Sequence, residues 1–152
     1  MTYNIHRWVG GDQRMDLDRL ASVITAAGAD LVGLNEVLHP VTTPHHTYAP
    51  LAELADRLGM RYAFGPSGWI DQAPEWQGPV GNAILSRYPL ADVSNVLLPR
   101  LPGTKQRSLL AATVAAGPVA GLTTFVTHLD HAFEGTRLVQ VRGVLRRMQR
   151  LA

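Results

Sequence analysis

Apolar residues in this chain come either in short uncharged runs or at helical spacing, and the two patterns alternate. The run Leu31-Val32-Gly33-Leu34 has the character of a strand buried on both faces. Before it, Leu17, Leu20, Val23, Ile24 and Ala27 recur at helical spacing, with Asp16 as cap and Gly28 as stop. Thr2 to His6 reads as a strand, and Gly10-Gly11-Asp12 as the loop that follows. A loop through Pro40, Pro44, His45 and His46 leads to a helix from Pro50 to Leu58, ended by Gly59. Arg61 to Gly65 reads as a strand, and Pro66 to Pro79 as a loop holding Trp69 and Trp76. Two further strands, Val80 to Ser86 and Val93 to Leu98, are separated by Tyr88-Pro89. Leu109 to Ala115 and Val119 to His128 flank Gly117-Pro118 as a hairpin. A last helix starts near Glu134 and carries Leu138, Val141, Val144, Leu145, Met148 and Leu151 on one side.

Composition narrows the class without naming a function. With 152 residues, 46% hydrophobic and 17% charged, one globular domain is expected, with no repeat, low-complexity segment or linker. A net charge of +2 carries no strong polyanion signal. The chain has no cysteine, which excludes disulfides, thiolate metal sites and cysteine nucleophiles and accords with a cytoplasmic location. No apolar leader follows Met1. Ser108 to Thr127 is uncharged and long enough to span a bilayer, but the central Gly117-Pro118 and four threonines make it a hairpin instead.

Glu36 comes after the apolar run, past Asn35, with Val37 behind it. A carboxylate at the end of a buried strand is costly unless it is paired, and a metal ion is one such partner; capping a loop is the other reading. His39, His45 and His46 lack the fixed spacing of a second metal site. Trp69 and Trp76 suit either a substrate lip or a packed loop. Arg107, at the mouth of the hairpin, suits a phosphate contact or an exposed strand-end charge. Arg142, Arg146, Arg147 and Arg150 read as a solvated helix face, because acids elsewhere nearly balance them. Val9-Gly10-Gly11-Asp12 lacks the Lys-Ser/Thr ending of a phosphate-binding loop.

Taken in order, four blocks form a resemblance. Thr2-Tyr3-Asn4-Ile5-His6 with Asp16-Leu17-Asp18-Arg19-Leu20, then Asp30-Leu31-Val32-Gly33-Leu34-Asn35-Glu36-Val37, resemble the opening of the endonuclease/exonuclease/phosphatase family. Gly81-Asn82-Ala83-Ile84-Leu85-Ser86-Arg87-Tyr88-Pro89-Leu90 is similar to its next block. Thr127-His128-Leu129-Asp130-His131, with Arg137 and Gln140 on a helix, is similar to the following one. The resemblance implies an α/β chain, part of the four-layer α/β sandwich of the deoxyribonuclease-like fold, with mixed or antiparallel sheets inside and helices outside. It implies Mg²⁺-dependent (or Mn²⁺-dependent) hydrolysis of a phosphoester, with nucleic acid, phospholipid head group and small molecule all open as substrate. Glu36 would be the metal ligand. Asn4 would hold a neighbouring site group, or else satisfy turn backbone. His128 would donate to phosphate as an imidazolium, or else be a half-buried strand histidine. Asn82 and Arg107 would meet substrate.

The family's Gly-Asp-Phe-Asn and Ser-Asp-His blocks are absent from the sequence. Residues 1–152 are therefore expected to be a single, incomplete domain, inactive alone and prone to self-association through exposed sheet. The alternative is a catalytically inert, truncated or partner-binding fragment.

Overall fold

The computed structural model describes residues 1–71 and 76–150. In order, the described residues form β1 (Thr2–Asn4), α1 (Leu17–Ala27), β2 (Leu31–Leu38), β3 (Val41–Thr42) and β4 (Thr47–Tyr48). Then come α2 (Pro50–Leu58), β5 (Arg61–Asp71), β6 (Gln77–Ser86), β7 (Leu90–Leu97), β8 (Ser108–Val114), β9 (Thr123–Thr127) and α3 (Glu134–Gln149). In the larger sheet β1 runs parallel to β2, β2 antiparallel to β6, and β6 also pairs with β5 along its length and with the short β3–β4 hairpin at its start. The second sheet is antiparallel, in the order β7-β8-β9. No helix among the described residues is long and apolar enough to cross a membrane.

The core follows the apolar pattern. Leu17, Leu20 and Ile24 of α1 and Leu51, Leu54 and Ala55 of α2 join Val32, Leu34 and Leu85 in one cluster. The two helices are tied to each other by Arg57, which bonds Asp18 of α1 and Glu53 of its own helix. Between the sheets lies a smaller cluster of Ile84, Leu110, Ala112 and Val126. Gly33 lets the sheets approach here, since a Cβ on it would sit 2.8 Å from Val126 Cγ2. β8 is buried on both faces, which explains its lack of alternation.

Several expectations change. The loop expected over Pro66 to Pro79 is largely strand, because β5 continues to Asp71 and pairs with a β6 that already starts at Gln77. Residues 72–75 of that stretch lie outside the described residues, as does Leu151 of the last helix. The first strand stops at Asn4, and His6, Arg7 and Trp8 form a turn with positive φ at all three (51°, 57° and 76°). Trp8 anchors that turn: it is buried, and its Nε1 donates to the Leu38 carbonyl at 2.6 Å.

The largest correction concerns α3. Its apolar stripe faces outward, with Leu138 55% and Leu145 53% exposed, while Thr136 and Gln140 are fully buried. Polar anchors decide that orientation. Gln140 Oε1 accepts the Asp130 N–H at 2.8 Å, and Arg137 Nη1 donates to the carbonyls of Asp130 and His131. Gly143 lies so close to Pro99 that a Cβ would meet its Cδ at 2.8 Å. Directional bonds to the loop after β9 thus outweigh burial of the leucines.

Candidate phosphate-binding site

Glu36 does not end β2. It sits inside the strand, at a bulge where β2 advances three residues (Leu34 to Val37) while β6 advances two (Ala83 to Gly81). The extra residue puts Glu36 at φ 57°, a left-handed conformation that costs a non-glycine residue roughly 1–2 kcal/mol. Bulges re-aim side chains. Here the carboxylate comes to 3.8 Å from His128 Nδ1 and 4.0 Å from His6 Nε2. Both Glu36 and His128 are partly sheltered, each side chain 26% exposed.

His128 directly follows β9, and Arg107 directly precedes β8, the neighbouring strand. Arg107 Nη1 lies 3.3 Å from His128 Nδ1, so this imidazole nitrogen accepts and the ring carries its hydrogen on Nε2. Burial above all, and then the Arg107 charge, hold the His128 pKa below the ordinary imidazole value, against an opposing pull from Glu36. The imidazole is accordingly neutral at pH 7. The buried Nε of Arg107 has no hydrogen-bond partner among the described residues.

These groups line a cavity of about 460 Å³. Its lining includes Ser67 to Ile70 of β5, the Lys105–Ser108 segment and Asn82. Glu36 is the only acid among the described lining residues, against Arg7, Lys105, Arg107 and three histidines, His6, His128 and His131. The arrangement suits an anion held beside one carboxylate. Trp69 stands at the cavity 63% exposed, as a lip; Trp76 instead packs partly buried against the main core.

The remaining expected residues divide, since Asn82 lines this cavity and Asn4 does not. Asn82 is buried, with its amide engaged by Asn35 and Ser108. Asn4 is paired across the sheet with Asn35, at the same end of the molecule, but it lines a neighbouring cavity of about 770 Å³ that shares His6 and Arg7 with the first. Its Oδ1 accepts the His6 N–H at 3.1 Å, the turn-backbone role. His39 stands apart, edge-on to Tyr62 and Phe64. Sequence reasoning passed over His6, Lys105 and His131, although His6 and His131 lie within the blocks that carried the resemblance. No group of three or more His, Asp or Glu placed to hold a metal occurs among the described residues. A single carboxylate such as Glu36 is within what a magnesium site requires of the protein when water and substrate supply the remaining oxygens.

A bacterial structure reported as an endonuclease/exonuclease/phosphatase, from Beutenbergia cavernae, superposes with a TM-score of 0.71 at 28% identity, over 95% of this chain and 41% of its own. The chain has the fold of the endonuclease/exonuclease/phosphatase family. The human Nocturnin catalytic domain shares that fold at 22% identity and a TM-score of 0.67, over 98% of this chain and 56% of its own. So does the Bacteroides thetaiotaomicron mannosyl-6-phosphatase, at 17% identity and 0.67, over 99% and 58%. The chain thus spans between 41% and 58% of the length of these three structures. No family model and no curated protein matches it at the level of sequence.

Proposed function

We propose that this chain carries the phosphate-binding half of a metal-dependent phosphoester hydrolase, centred on Glu36, Arg107 and His128. The observation that carries the reading is one carboxylate held 3.8 Å from a histidine that itself meets an arginine, in a cavity otherwise lined by cationic and neutral groups. Two of the similar structures accord with it: one is reported with a bound sulfate anion, the other is a phosphatase. Arg107 would bind phosphate oxygens by charge-assisted hydrogen bonds. The His128 Nε2–H would donate to a further oxygen, as a neutral donor in the free chain and as an imidazolium once the anion's charge raises its pKa. Glu36 would hold a magnesium (or manganese) ion, which when bound polarises the phosphate.

A second reading is binding without turnover. It is favoured by the apolar stripe exposed along α3, which suits association. Titration of the chain with inorganic phosphate, followed by phosphorus NMR, tests the site common to both readings. Binding is expected to weaken about tenfold or more in Arg107→Ala, the scale of a lost charge-assisted hydrogen bond, and to be unchanged in His45→Ala. Equal affinity in all three proteins would remove the assignment.

A further inference from the structure

Glu36, Arg107 and His128 each have a polar chain neighbour, and these neighbours are joined by hydrogen bonds. Asn35, beside Glu36, donates Nδ2 to Asn82 Oδ1 at 2.8 Å and to the Thr127 carbonyl at 3.2 Å. Asn82 donates its own Nδ2 to the Ser108 carbonyl at 3.1 Å, and Ser108 follows Arg107. Thr127, beside His128, donates Oγ1 to that same carbonyl at 2.8 Å. The bonds close a ring through β2, β6, β8 and β9, and therefore across both sheets.

We propose that Asn35 is a positioning residue that, through this ring, fixes Glu36, Arg107 and His128 relative to one another and so sets the cavity's affinity for phosphate. Glu36 belongs to one sheet, while Arg107 and His128 flank strands of the other, so their spacing is a spacing between sheets. The apolar cluster between the sheets is small, and apolar contact is not directional; it holds the sheets together without fixing where one lies along the other. Hydrogen bonds do fix it. Asn35 is the one ring member that bonds to both sheets through a single amide nitrogen. A shift of one ring residue moves the site residue next to it, and a network anchored on the buried Asn82 and Ser108 resists such shifts.

The inference rests on the phosphate-binding reading, and the test separates the two. Phosphate affinity is measured on four full-length proteins: the unmodified chain, Asn35→Ala, His128→Ala and the variant carrying both substitutions. The melting temperature of each is recorded alongside. Asn35→Ala is expected to weaken phosphate binding about tenfold, the scale seen when a supporting hydrogen bond behind a site is lost. In the His128→Ala background the same substitution is expected to cost less than threefold, because part of its effect travels through His128. Equal factors in both backgrounds, or a lower melting temperature with unchanged affinity, would make Asn35 a core residue only and overturn the inference. If the unmodified chain binds no phosphate, the site reading fails and this inference with it. Should Asn35→Ala not fold, Thr127→Val opens the ring at one bond, and the same cycle with His128→Ala decides.

Discussion

Glu36 shows how a single backbone angle links stability to function. Its left-handed conformation is disfavoured for any side chain with a Cβ, and glycine adopts it freely. Glu36→Gly is therefore expected to gain about 1 kcal/mol, or roughly 2–4 °C in melting temperature at this chain length, while losing the carboxylate proposed to hold the metal. Glu36→Gln should leave the melting temperature near that of the unmodified chain. Thermal melts of the two variants separate relief of strain from removal of charge. His39 supplies a pH dependence. Burial lowers its pKa from the ordinary 6.5, and its buried Nδ1 has no partner among the described residues. The unfolded chain binds this proton more readily than the folded one, so the neutral ring's contribution is complete above about pH 6.5 and declines as pH falls below it. Melting temperatures measured from pH 7.5 down to 5 should fall, and His39→Gln should flatten the slope over that range.

At the scale of elements, α3 is held by polar contacts at its start, not by its apolar stripe. Asp130, buried and set in the turn before the helix, accepts the N–H groups of Ala132 and Phe133, and these bonds hold its carboxyl below the usual carboxylate range. Gln140 then satisfies the Asp130 N–H itself. Gln140→Ala leaves that buried donor unpaired and is expected to cost about 1–3 kcal/mol in denaturant unfolding, a large effect for a helix whose leucines face solvent. Replacing exposed Leu138 by alanine should cost well under 1 kcal/mol by the same measure, since little of it is removed from water. The opposite ranking would show that the stripe, not the polar anchor, docks the helix. α1 and α2 behave in the ordinary way, with their apolar faces in the main cluster.

At the scale of the whole molecule, two features leave surface unmatched. Among the described residues β1 and β9 each pair on one side only, and the stripe of Leu138, Val141, Leu145 and Met148 is exposed along α3. Unpaired strand edges and contiguous apolar surface both favour association. Light scattering coupled to size exclusion is expected to show self-association that rises with concentration and is reduced in Leu138→Glu/Leu145→Glu. A monodisperse monomer at every concentration would show that these surfaces do not mediate contact.

The local pattern determined most elements, because capping and periodicity are properties of short segments. Asp16 and Gly28 bound α1, Pro50 and Gly59 bound α2, and each does what its residue type dictates. Glu36 and His128 were read as candidate site residues from the blocks around them, and the fold brings the two side chains to 3.8 Å. Other features were decided only by partners distant in sequence. Residues 66–71 read as loop, yet lie in strand because β6 supplies matching partners across the hairpin. The stripe of α3 reads as a buried face, yet points outward because Gln140 and Arg137 bind the Asp130–His131 turn. The bulge that aims Glu36, and the ring through Asn35, Asn82, Ser108 and Thr127, join residues up to 92 positions apart. No periodicity within a segment encodes such a pairing; it exists only once two sheets have met and their polar groups must find one another.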